Sequence, residues 1–343
     1  MQIKTKRSIA LLLILIGSVT VFQYYLKIYN KNVLKDAYLY IPSNTTEISL
    51  LKIISPFIES TANFKWVAKQ KNYLKNIKSG KYFIKKGMNS NELVNLLRSG
   101  KQTPIKLTFN NQDCLESLAG RISEQIETDS TTLLKAFKDP SFLEKNGFTQ
   151  ATAIGMYIPN TYEIYWNTSA NTLRNRLLKE YANFWNATRI SKAQKQNLSI
   201  DEVIVMASIV QKETSYVQER PTVAGLYLNR YHKKWPLQAD PTIIYILKKK
   251  YAQNNVIKRV LNKDLKINSP YNTYKHIGLP PGPISMPDIS SIDAVLNPAK
   301  HNYFYMCANV EKIGTHSFSK SLIQHNKNAR KYQKWLSSQD VKR

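Results

Sequence analysis

One stretch of this chain sets a proton-carrying side chain in a place where its proton could matter. From Ser199 the sequence reads SIDEVIVMASIVQKETSYVQER, and Ser199 followed three residues later by Glu202 is the pairing of a capping box, so a helix starts there. The spacing predicts that the helix runs on to Arg220, with Val203, Met206, Ala207, Val210, Thr214 and Val217 in one apolar stripe. Stepping about 100° per residue places Glu213 roughly 60° from the stripe's centre, away from the face carrying Ser208 and Gln211. A carboxylate there is partly buried. Burial disfavours its charged form and raises its pKa, which is what a general acid needs to hold a proton near neutral pH. The same position also suits a carboxylate that pairs with a nearby Lys or Arg and only stabilises the helix, and the helix by itself leaves both readings open.

The elements around this helix must position whatever acts with Glu213. Downstream, PTVAGLYLNR predicts a second helix with Pro221 in its first turn, and WPLQADPTIIYIL predicts a turn at Asp240 and Pro241 before another apolar segment. Upstream, GMYIPNTYEIYW (155–166) reads as strand and loop. Its aromatic side chains suit either a core or a flat surface against which sugar rings stack. A strand is expected at Ile105–Phe109, an amphipathic helix at Leu115–Ile126, and short helices at Leu133–Phe137 and Ser141–Asn146, broken at Pro140. Thr172–Trp185 reads as a polar helix and Lys192–Asn197 as a loop.

Residues 36–104 carry a two-copy pattern of strand, turn and helix. Tyr38–Ile41 alternates as a strand, and Glu47–Ile58 is apolar enough for a helix that Pro56 interrupts. Then Lys81–Ile84 reads as a strand, KKGMNS as a turn with Ser90 as N-cap, and Asn91–Leu97 as a helix closed at Ser99 and Gly100.

The 343 residues include 50 Lys and Arg against 23 Asp and Glu, a net charge of +27. Such an excess concerns partners more than fold, and nucleic acid, membrane surface and acidic polymers all fit it. The N-terminus narrows the choice. After Lys4, Lys6 and Arg7 the segment 8–26 carries no charged residue and is about long enough to cross a bilayer, with Tyr24, Tyr25 and Tyr29 where an aromatic belt would meet the far interface. A cleaved signal peptide is the alternative, although no clear small-residue cleavage site follows. With an anchor there, residues 1–7 form a cytoplasmic tail and the rest lies outside the cytoplasm. Nucleic acid is then no expected partner, and no zinc finger, RNP sequence or Arg-rich helix argues for one. The two cysteines, Cys114 and Cys307, lack a CxxC partner, and the five histidines form no HExxH or HxxxH pair, so neither a metal site nor a cofactor is expected.

Six ordered pieces of the chain resemble the YceG-like family of endolytic murein transglycosylases: GMYIPNTYEIY, ASIVQKET, VAGLYLNR, LQADPTIIY, GLPPGPISMP and GTHSFSKSLIQHN. The segment YFIKKGMNSNELVNLLRSG is similar to the LysM-like module found in front of some cell-wall enzymes. The resemblance implies an α+β protein with a transmembrane helix (8–26), a small LysM-like α/β subdomain (36–104) and a larger α+β catalytic domain (105–343). It implies cleavage of the β-1,4 bond between N-acetylmuramic acid and N-acetylglucosamine within glycan strands, leaving 1,6-anhydro ends, with Glu213 as the catalytic acid and then base. One carboxyl suffices for that reaction, unlike ordinary glycoside hydrolysis, which needs two. Substrate-contact candidates in the matching motifs are Tyr162, Glu163, Asn229, Gln238, Asp240, Thr242, His316 and Ser317. Peptidoglycan is the implied partner, peptidoglycan polymerases the implied neighbours, and the inner membrane with an extracytoplasmic catalytic domain the implied place. A non-catalytic wall-binding scaffold and a hydrolytic muramidase are the competing readings. Two departures are visible: Asn160 stands where the family usually has Asp, and Met286 where it has a small or polar residue.

Overall fold

The structure, a computed structural model, describes residues 2–251, 257 and 259–338, with side chains from Arg7 onward. It is a mixed α+β protein with three two-stranded sheets among the described residues. By contacts the chain divides into two units. Described residues up to Leu107, with Gln125–Thr128 and Tyr162–Ser169, form one; Thr108–Glu124, Asp129–Thr161 and the described residues from Ala170 form the other.

Helix α1 (Gln2–Tyr29) begins the first unit, and its Arg7–Tyr29 portion has a mean hydropathy of 2.1 and none of its residues buried. At 1.5 Å per residue those 23 residues span about 35 Å, enough to cross a hydrocarbon core of about 30 Å. The Ser18 and Thr20 hydroxyls donate back to the carbonyls of Ile14 (2.6 Å) and Ile16 (2.8 Å), so their polar atoms are satisfied within the helix.

Strand β1 (Ala37–Ile41) precedes α2 (Glu47–Ile54) and α3 (Thr61–Gln70), whose N-caps Thr46 and Ser60 accept from backbone N–H groups. Strand β2 (Gly80–Ile84) pairs antiparallel with β1, Leu39 opposite Tyr82. The period of two turns Leu39, Ile41, Tyr82 and Ile84 into the core and leaves Tyr38, Tyr40, Lys81 and Phe83 on the other face. Helix α4 (Ser90–Ser99) is capped by Asn89, one residue before the expected Ser90, in a capping box with Glu92, and Gly100 closes it at φ 71°. Ser90 is not available as a cap: it is fully buried and its hydroxyl accepts from Asn32 Nδ2 at 2.9 Å. Two later segments return to this unit. Ser43 donates from N and Oγ to Glu127, and Asn167 Nδ2 donates to Ser79 Oγ.

Strand β3 (Ile105–Phe109) leads to α5 (Leu115–Ser123), α6 (Ser130–Phe137) and α7 (Pro140–Lys145). Pro140 starts α7 instead of breaking a helix, since its missing N–H costs nothing in the first turn and Asp139 caps it. Strand β4 (Asn160–Ile164) pairs with β3, and α8 (Ala170–Phe184) follows. The expected loop at 192–197 is largely helical, because Asn186 accepts from Arg189 N and caps α9 (Ala187–Lys195), a run rich in good helix formers.

At the centre of the second unit lies α10 (Ile200–Glu213), opened by the Ser199/Glu202 capping box. Val203 to Val210 are eight consecutive buried residues, so the helix is covered on all sides and has no single stripe. Around it pack α11 (Arg220–His232), α12 (Asp240–Lys250) and α13 (Ile289–Leu296). The hairpin of β5 (Tyr305–Ala308) and β6 (His316–Ser319) and the exposed helix α14 (Leu322–Ser338) end the described chain. Helix α10 stops at Glu213, not at Arg220. Thr214 takes extended dihedrals (φ −137°, ψ 132°), and its Oγ1 accepts from Tyr216 N at 3.1 Å, which starts a turn in place of another helical residue. Thr214 and Val217 therefore leave the predicted stripe, and Val217 is exposed. Asp240 and Pro241 likewise do not form a free turn but begin α12, with Pro241 in its first turn.

Candidate active site

The early stop of α10 makes Glu213 its last residue. The carboxyl thus sits at the negative end of the helix dipole, which disfavours a second negative charge there. Glu213 is half-buried, its carboxyl deep among neighbouring groups while part of the side chain still meets solvent. Burial is the main cause that pushes its pKa up to about 7; the negative charge of Asp240 adds to this, while a hydrogen bond from Tyr227 and the charges of His316 and Arg230 act against it. At neutral pH the group is poised between acid and base.

Tyr227, fully buried on α11, donates its hydroxyl to Glu213 Oε1. Its own pKa is held far above the usual phenol value by burial and by the adjacent carboxyl, so it stays a donor. With Oε1 accepting from the phenol, the proton that Glu213 can give away belongs on Oε2. A phenol within VAGLYL on a buried helix needs a polar partner, and that was the available sequence signal for Tyr227.

Helix α11 approaches the segment after α13 closely. A Cβ on Gly225 would stand 2.5 Å from the Ala299 carbonyl oxygen, so only glycine allows the contact. One helical turn on, Asn229 Nδ2 donates to the carbonyls of His301 (2.9 Å) and Tyr303 (3.0 Å). Its amide nitrogen is spent on the fold. The next residue, Arg230, is buried and donates from Nε to Phe304 O at 2.8 Å and from Nη1 to Leu237 O. Backbone carbonyls thus hold a cation whose charge reaches Glu213.

The LQADPT segment is pinned through Thr273. Ala239 N donates to Thr273 Oγ1 (3.0 Å), Gln238 N to Thr273 O (3.0 Å), and fully buried Thr242 bonds to Ala239 O (2.7 Å) and Thr273 Oγ1 (3.0 Å). Thr242 therefore builds the turn from inside, whereas Gln238, at φ 50°, and Asp240 are exposed. Tyr274 donates its hydroxyl to Asp240 Oδ1 at 2.5 Å. On β6, His316 is fixed twice by Glu219, whose carboxylate accepts from the His316 backbone N (2.6 Å) and from Nδ1 (2.9 Å). Glu219 is buried, so this pair is protected from solvent, and it sets Nδ1 as the protonated ring nitrogen, leaving Nε2 as the other functional atom. Ser317, half-buried on the same strand, pairs with Cys307.

The second unit therefore gathers Glu213, Asp240 and His316 from the sequence-predicted set and adds Tyr227, Arg230, Glu219 and Tyr274. Tyr162 (buried) and Glu163 (exposed) lie on the part of β4 that belongs to the first unit. The face of α10 opposite its chemistry is a buttress: Ser208 Oγ accepts from Ile284 N (3.0 Å), and Gln211 Oε1 accepts from Asp288 N (3.1 Å) and Ser291 Oγ (2.7 Å). Met286, one of the two departures, is completely buried and fills core space in that loop. Asn160 is exposed, and its Oδ1 accepts from Thr161 N at 2.8 Å. Cys114 and Cys307 are half-buried and no disulfide joins them. Among the described residues no group of three or more His, Cys, Asp or Glu side chains gathers to hold a metal ion.

The model of the YceG-like family matches residues 39–331. The chain belongs to the YceG-like family. The YceG-like chain is also similar to the endolytic murein transglycosylase of Bacillus subtilis, 30% identical over 320 residues that cover 88% of this chain and 85% of the relative. The endolytic murein transglycosylase of Streptococcus pneumoniae strain D39 is 28% identical over 83% of this chain, which spans only 56% of that longer protein. A crystal structure of a YceG-like protein from Listeria monocytogenes superposes with a TM-score of 0.56 at 29% identity, covering 85% of this YceG-like chain and 98% of that one.

Proposed function

We propose that this chain is an endolytic peptidoglycan lytic transglycosylase, with Glu213 as general acid and then general base. The observation that carries the reading is the carboxyl of half-buried Glu213, pushed up to a pKa of about 7 by burial and held at one oxygen by a buried phenol. In the first step Glu213 Oε2 gives its proton to the glycosidic oxygen between N-acetylmuramic acid and N-acetylglucosamine. The C1–O bond breaks with its electron pair going to that oxygen, and positive charge develops at C1. The muramyl C6 oxygen then bonds to C1, and its proton passes to Glu213. The result is a 1,6-anhydro end with no water consumed and the acid restored. Tyr227 stabilises the carboxylate between the two steps, and Asp240 places negative charge where the sugar becomes cationic.

Helix α1 serves as a single-pass membrane anchor, with the Lys and Arg of residues 4–7 keeping the tail inside and the catalytic unit on the extracytoplasmic side of the inner membrane. Residues 36–104 serve as a LysM-like module that holds glycan, and peptidoglycan polymerases are the partners that supply it. The net charge of +27 favours the anionic wall and lipid surface.

A second reading, a hydrolytic muramidase, draws on one observation: Asp240 is a second carboxylate in electrostatic reach of Glu213. Mass spectrometry of muropeptides released from purified glycan strands separates the two. Anhydro ends are expected, reducing muramic acid would establish hydrolysis, and intact strands would remove the enzyme claim.

A further inference from the structure

Beside α10, on the catalytic unit but away from Glu213, opens a cavity of about 470 Å³, within the range that holds a small ligand. Its charged lining is Lys138, Lys212, Lys248 and Lys249 against Asp113 and Glu116, four cations to two anions. Asp113 takes Lys212 Nζ on Oδ1 (2.5 Å) and Lys248 Nζ on Oδ2 (2.8 Å), and Lys138 pairs with Glu116. Each ammonium has three hydrogens, so these contacts leave donors to spare. Lys249, exposed at the rim, lies over the rings of Tyr245 (4.7 Å) and Tyr271 (5.5 Å). The floor is apolar, with Ile154, Ile244 and Ile284.

We infer that this cavity binds the carboxylate-bearing peptide branch of the glycan strand. The inference rests on the glycosidase reading above for the identity of that strand. Two uncompensated positive charges match a peptide with two carboxylates, and the isoleucine floor suits alanine methyl groups. Placement supports the same ligand. Lys212 precedes Glu213 on α10, and Pro241 follows Asp240 on α12, so cavity and acid share two elements. Lys212 and Glu213 stand about 100° apart on α10, an arc of about 9–10 Å on a helix about 10–12 Å wide, so a three-residue branch of about 10 Å on a sugar held at Glu213 spans from the acid to the cavity.

The test uses the full chain in detergent with three proteins, the wild type, Lys249→Glu, and Lys250→Glu as a control with the same charge change one position along the helix. The rate constant kcat/KM is measured on glycan strands carrying their peptides and on strands stripped of them by an amidase. The wild type is expected to prefer peptide-bearing strands by about tenfold, the worth of one charged hydrogen bond. Lys249→Glu should erase that preference and leave the stripped-strand rate unchanged, while Lys250→Glu alters neither. Equal rates on both substrates in the wild type, or an equal loss on both in Lys249→Glu, would overturn the inference. Calorimetric titration of Glu213→Gln protein with the dipeptide L-Ala-D-Glu decides the matter independently of turnover. Salt-sensitive binding that Lys249→Glu weakens about tenfold supports the site, even if no strand is cleaved and the glycosidase reading falls. No heat of binding, or displacement by inorganic phosphate at equal concentration, would overturn the peptide assignment.

Discussion

Each unit buries polar groups, and the two use them differently. In the first, Asn32 is 4% exposed and its amide donates to Ser60 O (3.0 Å) and Ser90 Oγ (2.9 Å) while accepting from Ser60 N (2.7 Å). Both hydrogens are used, none can ionise, and the result is a fixed link from the segment after α1 to the cap of α3 and the first residue of α4. In the second, Glu213 has one oxygen held by Tyr227, the other left for a proton, and solvent on one side. A satisfied buried amide contributes stability and specificity, whereas a carboxyl satisfied on one side only is kept near its titration point.

The widest separation between the two is expected from paired substitutions. Glu213→Gln should lower kcat on glycan strands by about 10³-fold or more with the fold intact, as loss of a general acid does. Asn32→Leu should do the opposite, leaving turnover per folded molecule unchanged and lowering unfolding free energy by about 2–3 kcal/mol, because the Ser60 N–H and Ser90 hydroxyl lose their partner. Circular dichroism, denaturant titration and muropeptide release on the same preparations measure all of this. A Glu213→Gln protein with full turnover would break the comparison at its stronger end.

Much of this contrast was legible in the residues. The Ser199/Glu202 capping box, the apolar run behind it and the approximate burial of Glu213 follow from local chemistry, and so do both strands of the β1–β2 pair. The end of α10 did not follow, because the periodicity of Thr214 and Val217 continues the helix and only the competing Thr214 hydroxyl stops it. The polar ring round Glu213 was less legible still. Glu219, Tyr227 and Arg230 lie on or just before α11 while Tyr274 comes from a distant loop, and their partners (carboxylates, backbone carbonyls and, for Glu219, the backbone N and ring of His316) are ones that no spacing rule connects. Asn229 and Thr242 carried the right chemistry for sugar contact, yet the fold uses Asn229 Nδ2 and the whole Thr242 hydroxyl for itself.

Titration sharpens the comparison further, since only the second unit should respond near neutrality. The folded-state pKa of Glu213, about 7, lies above its ordinary carboxylate value, so the native state holds a proton that the unfolded chain releases. Its stabilising contribution is therefore complete below the ordinary carboxylate range and lost as pH rises through 7. Glutamine mimics the protonated form at every pH. Wild type and Glu213→Gln should melt together near pH 4 and diverge by pH 8, the variant higher, with roughly 2–4 °C for each kcal/mol in a domain of this size. Parallel melting curves across that range would show that the carboxyl is solvated like any surface group.

The smallest expected effect tests where the proton resides. Tyr227 donates to Glu213 and so favours the carboxylate, holding the pKa below what burial alone would give. In Tyr227→Phe the ring still fills its buried site, and the hydrogen bond alone is lost. Activity that requires protonated Glu213 declines as pH rises through its pKa, so in this variant the decline should move to higher pH, by about one unit at most, an energy of about 1.4 kcal/mol. Turnover on the acid side should change by less than about tenfold, because Glu213 Oε2 still carries the reacting proton. The opposite pattern has a distinct meaning. If Tyr227→Phe abolished turnover at every pH, the phenol itself would be delivering the proton, and Glu213 would be the group that tunes it.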